Sequence, residues 1–363
     1  MALRDGGRHP AEVHHRYLEE EICMNLPTRM TALATLAAVA VLNAPAAHAE
    51  RKLNLSTNSP PNHWSSEQAF VPFMTCVTER TAGSIAFDYF HSSQLASTGE
   101  SLSAVNSGLV EVSYLALSAL SDTMPISGIS MLPDMGGSAT EMAAAFRRAL
   151  SEDGPLADEF RNNRVHPLFL IMTPPYQIIL RKGPVRTPED FRGKKLRVSG
   201  SALSLAVSTL GGVPVEMPPA DIYIAMQQGV VDGTVLSLPS LPPYSLQEVT
   251  GAASRNAALG GASAALSIDI GIWDSLDADE RGAMTACATE TEAHINRYVD
   301  ELNGTLADDF RAAGIEIFDL ADAELAVLSE ALTPVREDYV SRVAGRGFPA
   351  QAALDQYLRA LGR

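Results

Sequence analysis

DIYIAMQQGVVDG, residues Asp221 to Gly233, decides the fold because it has an upstream counterpart in ESLSAVNSGLVEV, Glu100 to Val112. Aligning Gly108 with Gly229 superposes an acidic first residue (Glu100, Asp221), an alanine (Ala104, Ala225), an amide (Asn106, Gln227) and a closing acid (Glu111, Asp232), with two apolar residues after each glycine. Each copy reads as a helix, a glycine stop and a strand. One copy in each half of the chain predicts two similar α/β lobes. Ahead of the second copy, Lys194 to Ser199 reads as a short apolar strand carrying one arginine, Arg197.

Composition agrees with two cores. The chain has 363 residues, 46% of them hydrophobic, which exceeds the usual single-domain size. Its formal charge of −16 opposes approach to a phosphate backbone or an anionic membrane surface, so nucleic acid is excluded as a partner.

The N-terminus reads as a targeting segment. Arg29 precedes the apolar run Thr31 to Leu42, too short to span a bilayer, and Ala47-His48-Ala49 offers small residues at a cleavage site. Translation is expected to start at Met24 and cleavage to follow Ala49, so residues 1–49 are an extension plus signal peptide. This predicts export to the periplasm. Cys76 and Cys287 lie beyond the cleavage site, far apart and in helix-like stretches. They are read as separate buried thiols in preference to a periplasmic disulfide, and no metal or redox motif can be built from them.

Strand and helix patterns alternate along the mature chain, which argues for sheets covered on both faces. Lys52 to Thr57, Ser84 to Phe90, Val165 to Met172 and Gln177 to Leu180 read as strands; Trp64 to Thr81 has helical spacing. Ala202 to Leu210 is a helix closed by Gly211-Gly212, and Val213 to Met217 is another strand. Gly260 to Trp273 alternates as a strand. Asp277 with Glu280 opens a long helix to about Ala313, stopped by Gly314 and about 50 Å long, long enough to brace both lobes. The expected boundaries are 50–172 with 260–363 for the first lobe, including C-terminal helices, and 173–259 for the second.

Enzymatic constellations are missing from the sequence. There is no GxSxG, HExxH, Walker loop or GxGxxG, and the mature histidines are scattered without ligand spacing. Met131, Met135 and Met142 have no accompanying His or Cys and read as packing. Neither a cofactor nor a metal is expected.

The run RTPEDFRGKKLRVSGSALSLAVSTLGGVPVEMPPADIYIAMQQGVVDG, Arg186 to Gly233, resembles the extracytoplasmic solute receptors of TRAP transporters, the DctP-like family. Its most specific parts are PEDFRGKKLRV at Pro188 to Val198 and ADIYIAMQQGVVDG at Ala220 to Gly233. The resemblance implies a two-lobed, periplasmic-binding-protein-like α/β fold with hinge strands and a long lobe-spanning helix. It also implies a monomer that holds a small organic anion between the lobes and delivers it to the membrane subunits of the transporter. The arginine matching Arg197 pairs with the substrate carboxylate in that family. This chain departs from it at Thr234 to Pro239, TVLSLP, where a polar run is usual, and at Met172 to Gln177, near where dicarboxylate receptors place another arginine. One cation therefore points to a monocarboxylate, such as a 2-keto or aromatic acid, over a dicarboxylate.

The physics of Arg197 stands beside that resemblance, because a guanidinium fork matches a carboxylate with two charge-assisted hydrogen bonds. Other candidates are Tyr176 and Gln177 after a Pro-Pro turn, Leu236 on the opposite wall, Asn62 and Trp64 at a strand-to-helix junction, and Tyr114 at the end of the first repeat. His63 reads as a helix-start residue and Asp232 as a structural turn residue. Two other functions share these features: a ligand sensor signalling to a membrane partner, and a periplasmic enzyme, which would require product formation.

Overall fold

The computed structural model describes residues 50–363, so the expected start and signal peptide lie outside the described residues. In chain order the first part runs β1 (Arg51–Ser56), α1 (Val71–Arg80), β2 (Ile85–Phe90), α2 (Ser101–Asn106), β3 (Val112–Ala116), α3 (Ala139–Ser151), α4 (Pro155–Asn162) and β4 (Val165–Met172). The middle part runs β5 (Gln177–Leu180), α5 (Pro188–Phe191), β6 (Lys195–Val198), α6 (Ser201–Thr209), β7 (Val213–Glu216), α7 (Ile222–Gln228), β8 (Gly233–Leu236) and β9 (Ala252–Ser254). The chain then forms β10 (Ser263–Asp269), α8 (Ile270–Ser275), α9 (Ala278–Ala312), β11 (Glu316–Phe318), α10 (Asp322–Gly345) and α11 (Ala350–Leu361).

Two sheets result, with strand orders β2-β1-β3-β10-β4 and β11-β9-β5-β8-β6-β7. β1 is parallel to β2 and β3, and β6 is likewise parallel to β7 and β8. The sheets are copies of one design. The repeated motif sits at the same place in each: Gly108 and Gly229 end their helices at φ +74° and +75°, a left-handed conformation that glycine adopts without Cβ strain. In both copies the two residues after the glycine donate to the alanine carbonyl, Ala104 or Ala225. The closing acids also match. Glu111 accepts from the Asn54 amide and Asp232 from the Lys195 amide, each at 2.8 Å, tying the turn to the adjoining strand.

Two crossover segments, 173–176 and 255–262, connect the sheets and hydrogen-bond to each other. The amide of Thr173 donates to Ala262 at 3.0 Å and that of Tyr176 to Gly260 at 2.7 Å. Gly260 sits at φ +122°, and a Cβ there would meet the Met131 carbonyl at 2.5 Å, so a larger residue is refused on both counts.

Helix α9 is the brace. Asp277 and Glu280 form a reciprocal capping box at its start, with Glu280 N to Asp277 Oδ1 at 2.8 Å, and its 35 residues span about 52 Å. It packs against β4, α1 and α3 on the first sheet's side and against β11 and the turn Leu238–Ser240 on the other.

Three expectations are corrected here. Cys76 on α1 and Cys287 on α9 are disulfide-bonded, with Cα atoms 5.9 Å apart; 211 residues of sequence separation hid a proximity that only the folded helix pair creates. The strand expected over residues 260–273 ends at Asp269, whose side chain caps α8 by accepting from the Ile272 amide at 3.0 Å. Finally, β11 joins the second sheet through β9, so the segment after residue 260 does not stay wholly with the first.

Closing so long a loop constrains the unfolded chain. Replacing both cysteines with alanine is expected to lower unfolding free energy by about 2–4 kcal/mol. Calorimetric melting of the variant beside the wild type checks this, and an unchanged melting point would contradict it.

Candidate functional site

β6 lies between β7 and β8, with Arg197 in register with Val215 and Thr234. Its side chain is 1% exposed, and Nε and Nη2 both donate to the Met217 carbonyl, at 2.9 and 2.8 Å. Among the described residues no ion pair within 4.0 Å includes it. Burial pulls its pKa down from the usual guanidinium value, with the surrounding Tyr176, Tyr244, Glu216 and Asp221 pulling weakly the other way. A carbonyl dipole cannot replace a counter-ion, so a buried arginine in this state favours any anion that reaches it.

The guanidinium looks into a cavity of about 80 Å³ that both sheets' ends wall. Tyr176, Leu236 and Tyr244 line it from the second sheet's side, and Trp64, Tyr114 and His63 from the first. It continues into an outer cleft of about 410 Å³ that shares Thr98, Ser118, Ser199 and Pro219 with it. Across that opening Ser118 Oγ and Ser199 Oγ hydrogen-bond at 2.9 Å.

Apart from Arg197 every lining group is uncharged. Burial pushes the Tyr244 phenol up to about 12, and raises the Tyr114 and Tyr176 phenols as well. His63 is held neutral because burial lowers its pKa to about 3, and its Nδ1 lies within hydrogen-bonding distance of both the Ser65 amide, at 3.1 Å, and Ser65 Oγ, at 2.7 Å. Its ring lies 4.7 Å from that of Trp64 and 5.6 Å from that of Tyr244, so it joins an aromatic box around the arginine. No cluster of three or more metal-ligating side chains occurs among the described residues.

Of the sequence candidates, Arg197, Tyr176, Leu236, Trp64 and Tyr114 meet in this cavity. Two do not. Gln177 is buried, but its amide is committed to the hinge: Oε1 accepts from Ser254 Oγ and the Ala257 amide, both at 2.9 Å, and Nε2 donates to the Pro175 carbonyl. Asn62 is exposed and is not part of the lining. Asn58, Tyr244 and His63 line the cavity without being among the sequence candidates. A signal existed for Tyr244, because Pro242-Pro243-Tyr244 repeats the Pro174-Pro175-Tyr176 motif. His63 does open the helical segment, accepting from the Ser66 and Glu67 amides, and it lines the cavity too.

The model of the DctP family, bacterial extracellular solute-binding protein family 7, matches residues 55–342. The chain belongs to this family. It is therefore a TRAP-type extracytoplasmic solute receptor, a binding protein and not an enzyme. It is 30% identical over 182 residues to the C4-dicarboxylate-binding periplasmic protein DctP of Rhodobacter capsulatus, covering 49% of this chain and 54% of that protein. A TRAP solute-binding protein from Rhodoferax ferrireducens T118, in complex with copurified benzoate, superposes with a TM-score of 0.79 at 20% identity, over 86% of this chain and 98% of that one. One from Bordetella bronchiseptica, with bound (R)- and (S)-mandelate, superposes with a TM-score of 0.76 at 20% identity, over 86% and 99%. The two-lobed architecture expected from the repeat is that of these structures.

The neutral, buried His63 of this receptor has a pH signature. The unfolded chain takes up a proton near pH 6.5, whereas folded His63 refuses it down to about pH 3. Its contribution is thus intact above pH 6.5 and is lost as pH falls toward 3. The fall in melting point between pH 7 and pH 4.5 should be smaller in His63→Gln than in wild type; His166, lowered to about 4, keeps part of the slope in both. An equal fall in the two proteins would contradict the neutral burial.

Proposed function

We propose that this receptor captures a small monocarboxylate in the periplasm and delivers it to the membrane subunits of a TRAP transporter. The observation that carries this reading is Arg197, buried without a carboxylate partner in a cavity whose other walls are uncharged. A ligand carboxylate supplies the missing counter-ion. A second carboxylate on the same ligand would meet phenols, an indole and a neutral imidazole, none of which offsets the desolvation of a full charge. The aromatic walls suit a flat or apolar body, and the benzoate- and mandelate-bound relatives agree with that choice.

Capture proceeds by lobe closure. The acid first pairs with Arg197 on the second lobe; contacts from Trp64, Tyr114 and His63 on the first then favour the closed state, which excludes water and strengthens the ion pair. The hydrogen-bonded crossovers keep this motion a hinge. Closure presents both lobes together to the membrane subunits.

A melting screen against mono- and dicarboxylates, sugars and amines tests the reading, since a ligand specific to the folded state raises the melting point. Monocarboxylates are expected to give the largest shifts. Arg197→Ala should then weaken the best of them by about 2 kcal/mol or more in calorimetric titration, the scale for removing one member of a desolvated charged pair. Because Arg197 also holds the Met217 carbonyl, a folded melting transition in the variant is the control. Hits confined to sugars or amines, or unchanged affinity in the folded variant, would overturn the proposal.

A further inference from the structure

Two residues of the cavity wall on the first lobe's side, Asn58 and Trp64, each carry a buried polar atom without a partner among the described residues. Trp64 is 6% exposed, and its buried Nε1–H makes no hydrogen bond. Asn58 donates from Nδ2 to Thr98 Oγ1 at 3.2 Å, which leaves its buried Oδ1 without a donor. Among the described residues only six buried side-chain polar atoms are unpartnered, and the residues carrying two of them, Asn58 and Trp64, line the same small cavity as Arg197. A buried polar group without a partner costs free energy that a suitable ligand atom recovers. The cavity therefore has two poles: a charged one on the second lobe and an uncharged one on the first.

We propose that the ligand is a hydroxy acid, its carboxylate on Arg197 and its hydroxyl between Asn58 and Trp64. The donor and acceptor inventory selects the hydroxyl. An indole N–H needs an acceptor and an amide oxygen needs a donor. A keto oxygen or a second carboxylate only accepts, so it would serve Trp64 and leave Asn58 Oδ1 orphaned. An ammonium only donates, so it would do the reverse, and it would set a second cation in a cavity that already buries Arg197. A hydroxyl does both without adding charge. His63 on the same wall is neutral and adds no charge.

The division between lobes gives the hydroxyl a mechanical role. A carboxylate can reach Arg197 from the second lobe alone, but the hydroxyl is bound only when the first lobe closes over it. Discrimination then resides in closure, so an acid lacking the hydroxyl binds the arginine yet forgoes part of the energy that holds the lobes together. Sites that hydrogen-bond a substrate hydroxyl reject the analogue without it strongly, because their own polar groups are left unpaired.

This inference rests on the monocarboxylate reading, and its test separates the two. Calorimetric titration would compare mandelate, phenylglyoxylate and phenylacetate, and in parallel lactate, pyruvate and propionate, against wild type, Trp64→Phe, Asn58→Leu and Arg197→Ala. In at least one series the hydroxy acid is expected to bind ~10-fold or more tightly than both its keto and its deoxy partner. That gap should shrink to within about threefold in Trp64→Phe and in Asn58→Leu. Should either variant fail to fold, the wild-type series and the other variant still decide. Equal binding of the three members, all lost in Arg197→Ala, would overturn the hydroxyl pole and leave the carboxylate reading standing. A keto acid matching the hydroxy acid would overturn the donor role assigned to the ligand. A hydroxyl preference surviving both variants would overturn the assignment to Asn58 and Trp64. No binding in either series would overturn this inference and the monocarboxylate reading together.

Discussion

A guanidinium held out of water with no anion beside it is the constraint around which the rest of this molecule is organised. Arg197 is 1% exposed, and among the described residues its one acceptor is the Met217 carbonyl. Desolvating a positive charge costs several kcal/mol unless an opposite charge repays it. A receptor can use that cost, because the ligand that repays it is the one it selects. The neutral phenols and indole around the arginine make the selection sharper: they exclude water and present no competing carboxylate.

The scaffold holds that arrangement through repetition and bracing. Each sheet carries the helix-glycine-strand unit next to a parallel strand, and in the second sheet that strand is the one bearing Arg197. The paired crossovers around Thr173 and Gly260 join the halves, and the Gln177 side chain accepts from the Ala257 amide in the second of them. Helix α9 runs along both sheets, and the Cys76–Cys287 bond fixes it to α1.

Much of this is legible in the sequence where the signal is local. Gly108 and Gly229 mark positions that need a left-handed backbone, and the paired acids Glu111 and Asp232 mark turns whose amides need an acceptor; both features are read from spacing alone. Arg197 stands out as a cation on an apolar strand. What the sequence conceals depends on distant chain segments. The disulfide joins residues 211 apart, and β11 is too short to announce its sheet. Gln177 and Asn62 carry the right chemistry beside the right turns, yet one amide is spent on the hinge and the other faces solvent. Tyr244 enters the cavity from a loop outside the helix-glycine-strand units, its one local sign being the repeated Pro-Pro-Tyr, and His63 shows its second role only when its ring is seen packed against Trp64 and Tyr244.

The most direct test of the central idea is a crystal structure of the protein with a bound monocarboxylate such as benzoate. The expected result is carboxylate oxygens within hydrogen-bonding distance, about 2.7–2.9 Å, of the Arg197 guanidinium, with Trp64 and Tyr244 against the ligand body. A ligand seated elsewhere, with Arg197 still bound only to the Met217 carbonyl, would show that the buried charge is structural and that selection lies outside this cavity.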